Sequence, residues 1–110
     1  MKLVKKPWGN FKEFVKNKKC TVKVIEIKPK QALSLQYHKN REEMWYFLEP
    51  GIVQLGNKKF RVKAGEILEV PKKRPHRVIA GLESVRFLEI AFGKFSEGDE
   101  VRLEDKYGRK

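Results

Sequence analysis

The stretch Leu33-Ser34-Leu35-Gln36-Tyr37-His38-Lys39-Asn40-Arg41-Glu42-Glu43-Met44-Trp45 decides how this chain folds. Its first six residues alternate apolar and polar side chains, which is the period of a half-buried β-strand. Successive side chains of a strand point to opposite faces, so Ser34, Gln36 and His38 share one face and Leu33, Leu35 and Tyr37 the other. A strand face carrying Gln36 and His38, with Glu43 just past a bend, offers an amide oxygen, an imidazole and a carboxylate to a metal ion. A solvated polar strand face shows the same pattern, and spacing alone leaves both readings open.

On either side of this stretch, short β-prone runs are punctuated by turn residues. Residues 1–10 form an N-terminal arm ending in the turn cluster Pro7-Trp8-Gly9-Asn10. Residues 11–15 read as a short strand and 20–28, rich in Val and Ile, as a longer one that Pro29 stops. Residues 44–48 read as a strand buried on both sides. Pro50-Gly51, Gly56-Asn57 and Ala64-Gly65 then turn the chain between strands at 52–55, 59–63 and 67–70. Strands at 76–80 and 85–92 complete a set of eight or nine, with no long amphipathic helix. Such spacing predicts an all-β fold, an antiparallel sandwich or barrel, in a single domain over residues 1–110. The charged tail, residues 96–110, carries Val101, Leu103 and Tyr107 as apolar anchors and is expected to pack back on the barrel.

The chain has 110 residues, 40% hydrophobic and 36% charged, enough for one core of its own. No apolar run reaches the roughly 20 residues that span a bilayer, and no apolar signal core follows the basic N-terminus, so a cytoplasmic protein without a membrane partner is expected. Cys20 is the single cysteine and reads as a small buried apolar residue. Net charge is +12. That charge fits a Lys- and Glu-rich heat-adapted surface, a field that draws in a phosphorylated substrate, or a nucleic-acid partner. The lysines are spread along the whole chain and no nucleic-acid motif accompanies them, so nucleic acid is not expected as a partner.

His76 lies in the proline-bounded loop Pro71-Lys72-Lys73-Arg74-Pro75-His76, where restricted backbone suits a side chain that must be held in place. Alone, it reads as a surface or hydrogen-bonded histidine rather than a ligand. Together with Gln36, His38 and Glu43, the pattern Gly65-x5-Pro71-x4-His76 resembles the two-part metal motif of the cupin superfamily. The resemblance is closer still to the type II mannose-6-phosphate isomerase cupin, which also occurs as the C-terminal domain of bifunctional mannose-1-phosphate guanylyltransferases. It is carried by Lys6-Pro7-Trp8-Gly9, Leu33-Ser34-Leu35-Gln36-Tyr37-His38, Arg41-x-Glu43-x-Trp45 and Val101-Arg102-x-x-Asp105-x-Tyr107-Gly108-Arg109, and runs from about Lys6 to Arg109. It covers the cupin module alone and implies nothing about nucleotidyl transfer. Departures exist. Lys30, Pro50 and Lys73 stand where the general cupin pattern has glycines, Ala80 where asparagine is frequent, and Met44 where the isomerase family often has histidine. A lost turn glycine at Lys73 bears directly on the loop that aims His76.

The resemblance implies a small jelly-roll barrel enclosing one divalent metal ion held by Gln36, His38, Glu43 and His76. Such a ligand set suits zinc, manganese, iron or cobalt without choosing among them. The implied activity is interconversion of mannose 6-phosphate and fructose 6-phosphate, an aldose–ketose isomerisation that needs a metal to stabilise negative charge and a base to move a proton. Glu89, a carboxylate within an apolar strand, is the candidate base if it points inward; pointing outward, it is a salt-bridging surface residue. Arg41 and Arg102 stand at family motif positions and are the candidates to bind the substrate's phosphate. Glu42 faces away from the site, Lys72, Lys73 and Arg74 read as solvated surface, and Trp8 and Trp45 as core or barrel-mouth packing. Two other functions fit the same residues: a non-catalytic cupin that binds a sugar phosphate or nucleotide sugar, and a metal-free sugar epimerase. A homodimer is expected by analogy with small cupins.

Overall fold

A computed structural model describes residues 1–93 and 97–109; Ser96 and Lys110, the ends of the expected tail, lie outside the described residues. The described residues form eleven strands: β1 (Lys2–Lys6), β2 (Gly9–Glu13), β3 (Cys20–Ile27), β4 (Leu35–His38), β5 (Arg41–Phe47), β6 (Gly51–Leu55), β7 (Lys58–Val62), β8 (Ile67–Val70), β9 (His76–Ile79), β10 (Val85–Gly93) and β11 (Glu100–Glu104). A single 3-10 turn, Glu97–Asp99, is the one helical element among the described residues. Two antiparallel sheets, ordered β3-β10-β5-β8 and β11-β4-β9-β6-β7, face each other across the core, and β1 pairs only with β2 in a separate ribbon.

The sequence expectation differs from this at both ends. The arm and the short strand after it are one hairpin, in which Lys6 sits opposite Gly9. Trp8, expected to pack, projects from its tip 74% exposed. The tail holds by backbone pairing rather than by apolar anchors. β11 lies along β4, and Leu103 and Tyr107 stay exposed, while the Tyr107 hydroxyl donates to Gln31 Oε1. Alternation around a buried face reveals a strand; a hairpin exposed on both faces and a strand of alternating charge give no such signal. Cys20 is half-buried rather than enclosed, because it starts an edge strand.

Strand β5 shows how the barrel is built. Its inward residues run Arg41, Glu43, Trp45, Phe47, and all four are buried. On its neighbour β10, Ala91 lies opposite Glu43, Glu89 opposite Trp45 and Phe87 opposite Phe47. One half of the interior is therefore aromatic and aliphatic, with Trp45, Phe47 and Phe87 in mutual ring contact among Ile27, Val53, Val62, Val78 and Val85. Burying each such side chain contributes roughly 1.5–3 kcal/mol. The other half is polar and holds Arg41, Glu43 and Glu89.

Hairpin geometry sets these registers. Gly56 opens the two-residue loop between β6 and β7 with φ of +61°, where its left-handed backbone matches the twist of the strands. Gly93 pairs with Arg41, and its φ is +95°. A Cβ at Gly93 would come within 2.8 Å of the Asn40 carbonyl oxygen, so only glycine lets β10 pass the start of β5.

Candidate metal centre

Three buried side chains converge at the polar end of the interior: His38 from the end of β4, Glu43 from β5 and His76 from the start of β9. One ligand atom from each lies within 4.8 Å of the others. Glu43 Oε2 is 3.7 Å from His38 Nδ1, and its Oε1 is 3.8 Å from His76 Nε2. Bonds of about 2.0–2.2 Å to a first-row metal bring ligand atoms to roughly 3–3.5 Å from one another, so a modest contraction of these side chains suffices.

Hydrogen bonding supports the fit. His76 Nδ1–H donates to the Arg74 carbonyl at 2.8 Å, which leaves the lone pair on Nε2. That Nε2 is buried and has no hydrogen-bond partner among the described residues, the state of an imidazole prepared to ligate. Burial holds both histidines below their ordinary pKa, against the opposing pull of Glu43, so both are neutral at neutral pH, as metal ligation requires. Gln36 pairs with His76 across β4 and β9, and its Oε1 accepts from the Ser34 hydroxyl at 2.5 Å. This bond places Ser34 and Gln36 on one face, as the alternation predicted. The donor set of two imidazoles, a carboxylate and an adjacent amide suits a divalent metal of intermediate softness.

Glu43 is anchored twice more: the Trp45 indole N–H donates to its Oε1 at 3.0 Å, and Arg41 Nε donates to its Oε2 at 3.1 Å. Arg41 is 4% exposed, and its Nη2 also donates to His38 Nε2 at 2.8 Å. The structure thus places Arg41 inside the barrel against His38 and Glu43. Glu89 is buried beside Glu43 on the inward face of β10, with Lys23 opposite it on β3. Burial first, then the neighbouring Glu43 carboxylate, raise its pKa from 4.5 to about 7. Arg102 shares the face of Gln36 at the site's edge, where its Nη2 lies 2.7 Å from Glu100 Oε2. Glu42 is exposed.

Sequence reasoning passed over three residues at this site. Glu100 lies opposite His38 on β11, and its Oε1 is 3.7 Å from His38 Nε2. Asp99 accepts from the backbone N–H groups of Lys39 (3.0 Å) and Asn40 (2.9 Å), fixing the bend between β4 and β5. Those bonds hold its carboxyl below the usual carboxylate range. Lys23 completes the set. For Lys23 a signal was available: in residues 20–27 it is the charged member of the inward-facing alternation Thr21, Lys23, Ile25, Ile27.

Comparison with known proteins agrees with this architecture. Residues 1–105 match the family model described as "Mannose-6-phosphate isomerase C-terminal". A "Mannose-1-phosphate guanylyltransferase" of Escherichia coli is 32% identical over 107 residues, covering 94% of this chain and 23% of that protein. The "Alginate biosynthesis protein AlgA" of Pseudomonas aeruginosa is 32% identical over 110 residues, covering 96% of this chain and 23% of its own length. The chain thus spans about a quarter of the length of these relatives. Among solved structures, a double-stranded beta-helix domain protein from Klebsiella pneumoniae superposes with a TM-score of 0.69 at 18% identity, covering 84% of this chain and 81% of that one. A Cupin 2 conserved barrel domain protein from Salinispora arenicola gives 0.63 at 13% identity, covering 74% and 70%. The chain belongs to the mannose-6-phosphate isomerase C-terminal family and has the cupin fold.

Proposed function

We propose that this family member is a metal-dependent isomerase interconverting mannose 6-phosphate and fructose 6-phosphate, with His38, Glu43, His76 and Gln36 as the metal ligands. The observation that carries the reading is the unpartnered, buried His76 Nε2 aimed at Glu43, with an ionisable Glu89 next to that carboxylate. When bound, a divalent cation supplies Lewis-acid polarisation of the sugar's carbonyl and hydroxyl oxygens and stabilises the negative charge that develops on them. The chain's own residues do the rest. Glu89, with its pKa near neutrality, takes a proton from one of the two reacting carbons and returns it to the other. Trp45 and Arg41 hold the two oxygens of Glu43 in place, which makes Arg41 a positioning residue; its hydrogen bond to His38 Nε2 uses that ring's one lone pair and would give way when His38 ligates a metal. Among the described residues no helix is long and apolar enough to cross a membrane.

The test is a coupled assay for conversion of mannose 6-phosphate by protein loaded in turn with zinc, manganese, iron and cobalt. Turnover with at least one metal, abolished in His76→Ala together with metal binding, is the expected result. Saturable binding of hexose phosphate without turnover would make the protein a sugar-phosphate-binding cupin, and chelator-resistant epimerisation of a sugar in place of isomerisation would make it a metal-free epimerase.

A further inference from the structure

The loop that aims His76 contains a residue whose backbone opposes its own side chain. Lys73 has φ of +64°, in the left-handed region that L-residues with a Cβ avoid and glycine enters freely. Lys73 is also a position where the general cupin pattern carries glycine. A residue held in a strained conformation persists only where the surroundings enforce it, and such residues concentrate at functional sites. Here the enforcing contact is visible: Lys73 N–H donates to the His38 carbonyl oxygen at 2.6 Å. Lys73 is therefore pinned to one candidate ligand residue, His38, and lies three residues before another, His76.

Its side chain is exposed, and no ion pair or hydrogen bond engages its ammonium among the described residues. The arginines that were candidates for the phosphate are engaged: Arg41 with His38 and Glu43 inside the barrel, Arg102 with Glu100 at the edge. A hexose 6-phosphate whose reacting carbons lie against the His38–Glu43–His76 cluster carries its phosphate at the opposite end of the molecule, toward the rim. We propose that Lys73 is the residue that binds the phosphate of the substrate, and that the strained backbone is tolerated because it holds this ammonium beside the site. Lys72 and Arg74 flank it and add to the positive field at the rim. This inference rests on the sugar-phosphate reading of the site.

The experiment measures three quantities in wild type, Lys73→Gly, Lys73→Gln and Lys73→Arg: affinity for fructose 6-phosphate by calorimetry, zinc affinity by competition with a chromophoric chelator, and the thermal midpoint. Losing one charge-assisted contact to a phosphate weakens fructose 6-phosphate binding on the order of tenfold in Lys73→Gly and Lys73→Gln. Lys73→Arg stays within about threefold of wild type, since arginine keeps the charge and its donors. Zinc affinity is unchanged in all three. Lys73→Gly raises the thermal midpoint by a few degrees, roughly what relief of a strained residue gives in a domain of this size, and Lys73→Gln does not. Equal fructose 6-phosphate affinity in wild type and Lys73→Gly overturns the inference. So does a parallel loss of zinc affinity, which would show that the substitution only misaims His76, or a lowered midpoint in Lys73→Gly. If wild type binds no hexose phosphate, the sugar-phosphate reading itself fails and this inference falls with it.

Discussion

Replacing Glu89 by glutamine removes one ionisable group while keeping its shape, and the structure fixes the size and sign of the effect. In the unfolded chain this carboxyl has its ordinary pKa of 4.5, and in the folded protein burial and Glu43 raise it to about 7. The unfolded state therefore gives up the proton first. Folding stability from this group is fully present below pH 4.5 and is lost as pH rises through 7. At ~1.4 kcal/mol per pH unit, the folded wild type is disfavoured by about 3 kcal/mol at pH 8, of which about 2.5 kcal/mol develops between pH 5 and pH 8. Glutamine has no such dependence. Urea unfolding of chelator-treated wild type and Glu89→Gln at both pH values should show the stability difference moving by about 2.5 kcal/mol in favour of the variant at pH 8. Taking the difference between the two proteins cancels the histidines, whose lowered pKa values act in the opposite sense below pH 6.5. A difference that stays constant within about 0.5 kcal/mol would refute the inward, desolvated placement of Glu89. The same variant should retain metal and lose isomerase turnover if Glu89 moves the proton.

Two further substitutions test the frame around the site. Gly93→Ala forces a Cβ to within 2.8 Å of the Asn40 carbonyl at φ of +95°, and should lower stability by about 2 kcal/mol in denaturant unfolding. Gly108→Ala, at φ of +73° with open space around the new Cβ, is the control and should lose clearly less. Trp45→Phe removes the N–H that anchors Glu43 Oε1 and leaves a gap in the core, an expected loss of about 2 kcal/mol with weakened zinc binding in a chelator competition; unchanged zinc affinity would show that Glu43 does not need this anchor.

The barrel was legible because short β-prone runs are punctuated by turn residues, as around the Val- and Ile-rich residues 20–27, and because residues 33–38 keep strict period-2 alternation. What escaped were segments whose pairing leaves no buried stripe. Lys2–Lys6 is almost wholly exposed, and the interleaved charges of Glu100, Arg102 and Glu104 give no strand signal in a tail expected only to pack back on the barrel. Their register depends on partners distant in sequence, β4 for β11 and Asp99 for the bend at Lys39, and no local pattern records a long-range pairing.

The site was legible to a different depth at each residue, and the polarity gradient along the strands explains why. On β5 the inward series runs Arg41, Glu43, Trp45, Phe47, and on β10 it runs from Val85 and Phe87 to Glu89 and Ala91. An apolar core needs only the aromatic half of each series. Charged residues that continue the inward alternation past the core must be enclosed as well, and an enclosed charge is stable only when paired or when its pKa shifts. Both remedies appear here: Arg41 pairs with Glu43, and Glu89 shifts toward neutrality. The same rule turns the ambiguity over Glu89 into a derivable answer, because Phe87 fixes the inward phase of β10 and Glu89 lies two residues on. Whether Arg41 meets a phosphate or His38 and Glu43 is not decided by phase, since both choices lie on the inward side. That choice depends on how far into the barrel the strand begins. Strand β5 starts at Arg41 rather than Met44, so the guanidinium emerges beside His38 within the barrel instead of at its rim.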